Sequence, residues 1–359
     1  MNLEEKITLL ANLKDYLQSE SDQLNNIKRK AFEKNKWFIE EFVNFSFNSI
    51  VTDYLDYAKL NEWIHYYHID DNIEPKKIGI VMAGNIPLVG FHDFLCAFIT
   101  GHHQFIKLSD KDDLILKHLI DKLFEWNPKV GSVVKTKDNL KDCEAYIATG
   151  SNNSERYFKY YFGKYPSVIR HNKTSVAILS GNETYGELTS LADDVYTYFG
   201  LGCRNVTKLF VPRGYDFVML LNAFKKYDYL SEMTKYKNNY DYNLALLIMN
   251  NKYYMSNESI VLSENDSVFS PVSMLHYSYY DDRNTLVRDL GTNEDIQCIV
   301  SNNTKDYILN SRVAQTQVGG DKNINRVVID SCVSFGNTQK PGLYDYADGI
   351  DTMQFLLAL

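Results

Sequence analysis

"KKIGIVMAGNIP", residues 76 to 87, decides how the rest of the chain is read. It is a short β-branched run that ends in Gly84. That is the texture of a buried parallel strand feeding a loop. The segments that follow it keep alternating. "LVGFHDFLCAFITGH" (88–102) reads as an apolar helix stopping at Gly101, and "HQFIKLS" (103–109) as a second strand. "DDLILKHLIDKLFEW" (112–126) is an amphipathic helix with Pro128 just beyond it. "AYIATGS" (145–151) gives a further strand, "NSERYFKYYFGK" (153–164) a helix, and "SVAIL" (175–179) a strand again. Strands alternating with helices imply an α/β layer built on a parallel sheet.

Before this region, residues 1 to about 70 read as helical. "LEEKITLLANLKDYLQ" (3–18) places Leu3, Ile7, Leu10, Leu13 and Leu17 at spacings of three and four, and "WFIEEFVNFSFNSIVTDYL" (37–55) repeats the pattern with aromatics. Such a face packs against a core, or binds a partner. Beyond residue 181, "GNETYGELTSLADDVYTYFGLGC" (181–203) is a helix, while "VTKLFVP" (206–212), "NLALLIMN" (243–250) and "IQCIVS" (296–301) read as strands of a second α/β unit. Four spans result: N-terminal helices over 1–74 packing on a cofactor domain, that nucleotide-binding domain over 75–182, a catalytic domain over 183–335, and a tail over 336–359 returning to the core or to an oligomer interface.

The bulk composition sets limits. At 359 residues, two domains are the natural expectation, and 45% hydrophobic with 23% charged residues is ordinary for a folded chain. A net charge of −8 argues against binding nucleic acid or anionic membranes. The five cysteines include no C-x-x-C pair, which speaks against a disulfide framework and a structural zinc site. "MNLEEKITLL" lacks the charge pattern of a signal peptide, and no apolar stretch reaches the length of a membrane span. The expected compartment is the cytoplasm, and no metal is expected.

In parallel sheets, ligands bind where strands end and loops begin. Lys107 at such an end suits a ribose or phosphate, or is simply an exposed lysine. Gly150-Ser151 before a helix admits a phosphate, or is an ordinary helix start. Asn85 beside Pro87 is a site residue or a turn. Cys203 follows two glycines and precedes Arg204, where a nearby cation would favour the reactive thiolate. The alternative is an inert buried thiol. The Gly-Leu-Gly before it (200–202) is not a dinucleotide fingerprint, because Asn205 stands where the third glycine is needed and a helix precedes it.

Taken in order, these segments resemble the aldehyde dehydrogenase superfamily, and within it the acyl-CoA reductases related to the fatty-aldehyde-forming enzyme of bacterial bioluminescence. The resemblance covers residues 75 to 359. "AGNIP" resembles the loop whose asparagine helps form the oxyanion hole, here Asn85. "KLS" looks like the adenosine-ribose contact, placing Lys107 and Ser109 there. "TGS" resembles the helix start near the pyrophosphate, at Gly150 and Ser151. "YFGLGCRNVTKLFVP" (198–212) is similar to the segment of the catalytic cysteine, Cys203. "DSVFSPV" (266–272) resembles the late loop near the nicotinamide ribose, with Phe269 matching and Ser267 in place of its glutamate. "SFG" (334–336) resembles the C-terminal Pro-Phe-Gly turn.

The resemblance implies a cofactor-binding parallel-sheet domain, a second α/β catalytic domain, and NAD(P)H-dependent reduction of a fatty acyl-CoA through a cysteinyl thioester. Family likeness favours NADPH; Asp110 after "KLS" suits the free 2′-hydroxyl of NADH. Acyl-CoA and coenzyme A would be the small-molecule partners, beside a homo-oligomer or an aldehyde-consuming protein. "VIRHNKTSVAIL" (168–179) holds no acid where hydrolytic relatives carry their water-activating glutamate. That absence suits acyl exchange with a thiol. The alternatives are an aldehyde or semialdehyde dehydrogenase using another acyl carrier or acyl phosphate, and a non-catalytic subunit keeping the fold.

Overall fold

A computed structural model describes residues 1–302 and 331–359. Contacts divide it into two units. The first holds Met1–Asn172 and Pro341–Leu359; the second holds residues 173–302 and 331–340.

The first unit opens with four helices: α1 (Leu3–Gln18), α2 (Asp22–Lys34), α3 (Glu40–Ser49) and α4 (Tyr57–Tyr66). Their starts are chemically marked. Asn2 and Glu5 form a reciprocal capping box on α1, Ser21 caps α2 and Asp56 caps α4. Leu9, Leu10, Leu13 and Leu17 of α1 are buried. Then come β1 (Lys77–Val81), α5 (Phe91–Thr100), β2 (His103–Lys107), α6 (Leu114–Trp126), the short α7 (Val130–Val133), β3 (Val134–Thr136), β4 (Ala145–Thr149), α8 (Asn152–Phe162) and β5 (Ser167–Arg170). Helix α5 ends at Gly101, whose φ of 92° is the left-handed conformation that glycine supplies without strain. The five strands form one parallel sheet in the order β3-β2-β1-β4-β5. Ile78, Ile80, Ile106, Ala145 and Ile147 bury one face of it in a core shared with α1, α5 and α6.

Residues 341–359 complete this unit. Met353 and Leu356 of the helix Thr352–Leu357 are fully buried in the same core. Buried polar groups tie the segment down. Trp63 Nε1 donates to Tyr346 Oη at 3.0 Å, and Tyr346 Oη to Tyr67 Oη at 2.8 Å. Arg170 bridges Asp93 at 2.6 Å and donates to Thr352 Oγ1 at 2.7 Å. His102 accepts from Lys76 N and donates through Nε2 to Leu356 O.

The second unit contains β6 (Thr174–Ile178), α9 (Tyr185–Tyr196), β7 (Val206–Pro212), α10 (Phe217–Ala223), α11 (Thr234–Met249), β8 (Met255–Ser256), β9 (Val261–Glu264), β10 (Met274–Tyr280), α12 (Arg283–Leu290), β11 (Ile296–Val300) and β12 (Ser331–Val333). The sheet order is β12-β11-β6-β7-β10-β9-β8, parallel except for the β8–β9 pair. Two expectations need correction. "NLALLIMN" is the end of α11, not a strand: the helix buries Tyr236, Tyr240 and Asn243, and leaves Ile248 and Met249 exposed. A short apolar run does not distinguish strand from helix by itself. "SVAIL", which the expected boundary at 182 leaves in the first domain, pairs with β7 and β11 in the second sheet. The span 183–335 also includes residues 303–330, which lie outside the described residues.

Candidate functional site

In the first unit the strand order reverses between β1 and β4, because β2 and β3 lie to one side of β1 while β4 and β5 lie to the other. Such a switch point opens a crevice at the carboxyl ends of the strands, the usual seat of a nucleotide. Lys107 is the last residue of β2, and Asn85, Ser109, Gly150 and Ser151 lie just past the ends of β1, β2 and β4, three adjacent strands. Asn85, Lys107 and Ser151 are exposed and Ser109 is half-buried.

The turn carrying Asn85 is held from both sides. Met82 N donates to Lys107 O at 3.0 Å. A Cβ on Gly84 would lie 2.6 Å from Ser109 Oγ, so only glycine lets the two strand-end loops approach. After Pro87 the chain turns through Leu88 at φ 57°, and Leu88 N donates to Asp112 Oδ2 at 2.7 Å. Burial pushes the Asp112 carboxyl up to about 7, against the pull of that hydrogen bond. At β4, Ser151 caps α8 by accepting from Ser154 N. A Cβ on Gly150 would meet Phe158 at 2.8 Å and Ser154 at 2.9 Å, so this glycine serves close helix–strand packing. The edge fits a dinucleotide: exposed Lys107 supplies a cation, and the start of α8 supplies backbone donors beside Ser151.

The second unit presents Cys203 in the connection from α9 to β7. Tyr198, Phe199 and Gly200 are consecutive left-handed residues, at φ 56°, 58° and 73°. Two bulky aromatics in that region are strained, and a backbone held so needs support from around it. Asn205 supplies it. Its Oδ1 accepts from Gly202 N at 2.8 Å, and its Nδ2 donates to Asp194 O at 3.0 Å and Thr197 O at 2.8 Å. Ser175 on β6 donates to Cys203 O at 3.1 Å, and lies 2.9 Å from Cys298 Sγ. The nucleophile candidate is therefore tied to β6 through its own backbone carbonyl, and its turn is tied to α9 through Asn205.

No disulfide joins the five cysteines, and four are buried; Cys203 alone is partly exposed. Burial pushes the thiols of Cys143 and Cys298 up to about 11 and that of Cys96 well above its ordinary value, with Arg204 pulling Cys298 the other way. A raised, buried thiol is inert. Cys203 is the one of the five with part of its surface exposed.

Phe269 is half-buried in the loop between β9 and β10. Ser267, which replaces the acid of the resembling motif, uses its hydroxyl within the loop: it accepts from Phe269 N at 3.2 Å and donates to Phe269 O at 2.9 Å. The "SFG" turn is held by Asp194, which accepts from Gly336 N, Thr338 N and Thr338 Oγ1. Among the described residues, no group of three or more His, Cys, Asp or Glu could hold a metal ion, and no helix is long and apolar enough to cross a membrane. Asn205 was read only as the residue that breaks a dinucleotide fingerprint, and the buried roles of Asn205, Asp112 and Asp194 went unread because nothing in a one-dimensional pattern marks a polar side chain as buried. Lys208 inside the run "VTKLFV" was the one visible signal, a charge within an otherwise apolar strand.

No protein-family model matches the chain, and no curated protein matches it. Solved structures do. Indole-3-acetaldehyde dehydrogenase AldA of P. syringae, in complex with NAD+ and IAA, is 12% identical with a TM-score of 0.63, over 86% of this chain and 73% of its own. An aldehyde dehydrogenase from Bacillus cereus is 14% identical with a TM-score of 0.65, over 86% and 74%. Succinic semialdehyde dehydrogenase from Streptococcus pyogenes, in complex with NADP+, is 12% identical with a TM-score of 0.60, over 84% and 78%. The fold is that of the aldehyde dehydrogenases.

Proposed function

We propose that the chain is an oxidoreductase of the aldehyde dehydrogenase kind that reduces an acyl-CoA, of fatty acyl type, to its aldehyde with NAD(P)H. The observation that carries this reading is Cys203, the one partly exposed thiol, on a turn stitched by Asn205 and Ser175. As thiolate, Cys203 Sγ attacks the thioester carbonyl. The Cys203 backbone N–H and the Asn85 side-chain amide are assigned to the developing oxyanion, where one donor is typically worth about 10²–10³ in rate. The tetrahedral adduct expels coenzyme A as thiolate and leaves an acyl thioester on Cys203. The nicotinamide cofactor, when bound, supplies the hydride that converts this thioester to a thiohemiacetal. Collapse of the thiohemiacetal releases the aldehyde and restores the Cys203 thiolate. Lys107, Ser109, Gly150 and Ser151 at the sheet edge, and Phe269 in the late loop, are assigned to the dinucleotide. NADPH is the preferred form on the sequence likeness.

The stretch 168–179 supports acyl exchange over hydrolysis. It holds no carboxylate, and its Arg170 is engaged with Asp93. A second reading, an aldehyde or semialdehyde dehydrogenase, is favoured by what the neighbouring structures are. One assay separates them: NADPH and NADH oxidation across acyl-CoA chain lengths, beside NAD(P)+ reduction with aldehydes and semialdehydes. Acyl-CoA-dependent oxidation lost in Cys203→Ala supports the proposal; full activity in that variant overturns it.

A further inference from the structure

Lys208 is completely buried in the middle of β7, where a charge is costly. Its Nζ donates to Asn265 O and, at 2.6 Å, to Ser278 Oγ. Two neighbours aim at the same loop. Thr207 Oγ1 donates to Val268 O at 2.6 Å, and His276, opposite Lys208 in the sheet register, donates through Nδ1 to Ser267 O at 3.1 Å. Three buried side chains from two adjacent strands thus hold three backbone carbonyls between residues 265 and 268, while Asn265, Asp266 and Ser267 themselves are exposed. Burial lowers the Lys208 ammonium to about 8, with Asp266 and Glu264 pulling it back up. An apolar residue would fill the strand interior without that cost. The loop is what the lysine serves.

We infer that Lys208 is a positioning residue for the dinucleotide, holding the 265–271 loop so that Phe269 is presented to the cofactor, with Thr207 and His276 as its auxiliaries. The inference rests on the proposed function, which assigns Phe269 to the cofactor. It concerns cofactor binding and not the attack by Cys203.

The test measures two half-reactions on the full-length chain. Dinucleotide affinity is read by fluorescence titration with NADPH and with NADH; acylation is read as coenzyme A released from acyl-CoA with no dinucleotide present. Lys208→Met is expected to weaken the preferred dinucleotide at least tenfold while changing coenzyme A release less than threefold. Lys208→Arg is expected to recover most of the affinity. Thr207→Val, a milder change that guards against a misfolded Lys208→Met, is expected to weaken binding two- to fivefold. Folded variants with wild-type dinucleotide affinity, or a parallel fall in coenzyme A release, would overturn the inference alone. A wild-type chain that binds neither dinucleotide overturns the functional reading, and this role with it.

Discussion

Asn205 has no exposed surface, and its one side chain both accepts from the turn and donates to the end of α9. Removing it leaves several buried backbone groups without partners, at about 1–3 kcal/mol for such a site. Asn205→Ala is therefore expected to lower unfolding free energy by that order in urea titrations, and to slow labelling of Cys203 by a thiol reagent or make it heterogeneous. Asn205→Asp is expected not to rescue, because a carboxylate accepts from Gly202 N but donates to neither Asp194 O nor Thr197 O. A stable Asn205→Asp would contradict the donor assignment. At Asp112 the sign is set by burial. Its folded pKa, about 7, lies above the ordinary carboxyl value, so the folded state holds more protons than the unfolded one between about pH 4 and 7. Its contribution to stability is greatest at low pH and declines as pH rises through that window. Asp194, also raised by burial, to about 6, adds to the same slope. Asp112→Asn keeps an acceptor for Leu88 N and removes one titration. The loss of unfolding free energy from pH 5 to pH 8 is expected to be smaller in this variant; an unchanged slope would exclude Asp112 as a source.

Among elements, β2 carries an anomaly of a different kind. Gln104 is buried, and neither its amide nitrogen nor its amide oxygen has a hydrogen-bond partner among the described residues. It lies between Ile78 and Val134 in register, on strands that are otherwise apolar there. Gln104→Leu is expected to stabilise the protein by about 1–2 kcal/mol in urea or thermal unfolding, since the burial penalty goes and apolar contact is gained. A destabilised variant would mean the amide has a role the hydrogen bonds do not reveal. Three strands of the first sheet, β1, β2 and β4, were readable in sequence as short apolar runs, the first and last of them leading into Gly84 and Gly150. Strands β3, β5, β8, β9, β10 and β12 were not read. They are short, or mixed in character like "MLHYSYY" (274–280), and the burial of β3, β5, β9 and β10 comes from pairing partners distant in the chain. The strand-end positions of Asn85, Lys107 and Gly150 were legible for the same reason as their strands. The support behind the Asn85 turn was not, because Asp112 owes its role to Leu88, a neighbour brought in by folding; the same holds for Lys208 under the 265–268 loop of the second unit.

At the scale of the whole chain, the first unit is discontinuous, its early residues packed with residues 341–359. Deleting residues 352–359 would strip Met353 and Leu356 from the core and leave Arg170 and His102 without acceptors they now use. Loss of the paired groups in a buried network costs several kcal/mol. The truncated chain is expected to lose cooperative unfolding of the first unit, read as early tryptic cleavage within residues 1–172, while fragments of the second unit persist. Equal protease resistance of both units would contradict the tie.

That discontinuity also orders events during synthesis. The ribosome delivers residues 341–359 only after the entire second unit has left the exit tunnel. The nascent first unit must wait, with the seat for Met353 and Leu356 open, while the second unit is synthesised. At elongation rates of about 5–20 residues per second, the roughly 170 intervening residues impose a delay of about ten to thirty seconds. Through that interval an apolar surface meant for the chain's own tail is available to chaperones, and to aggregation.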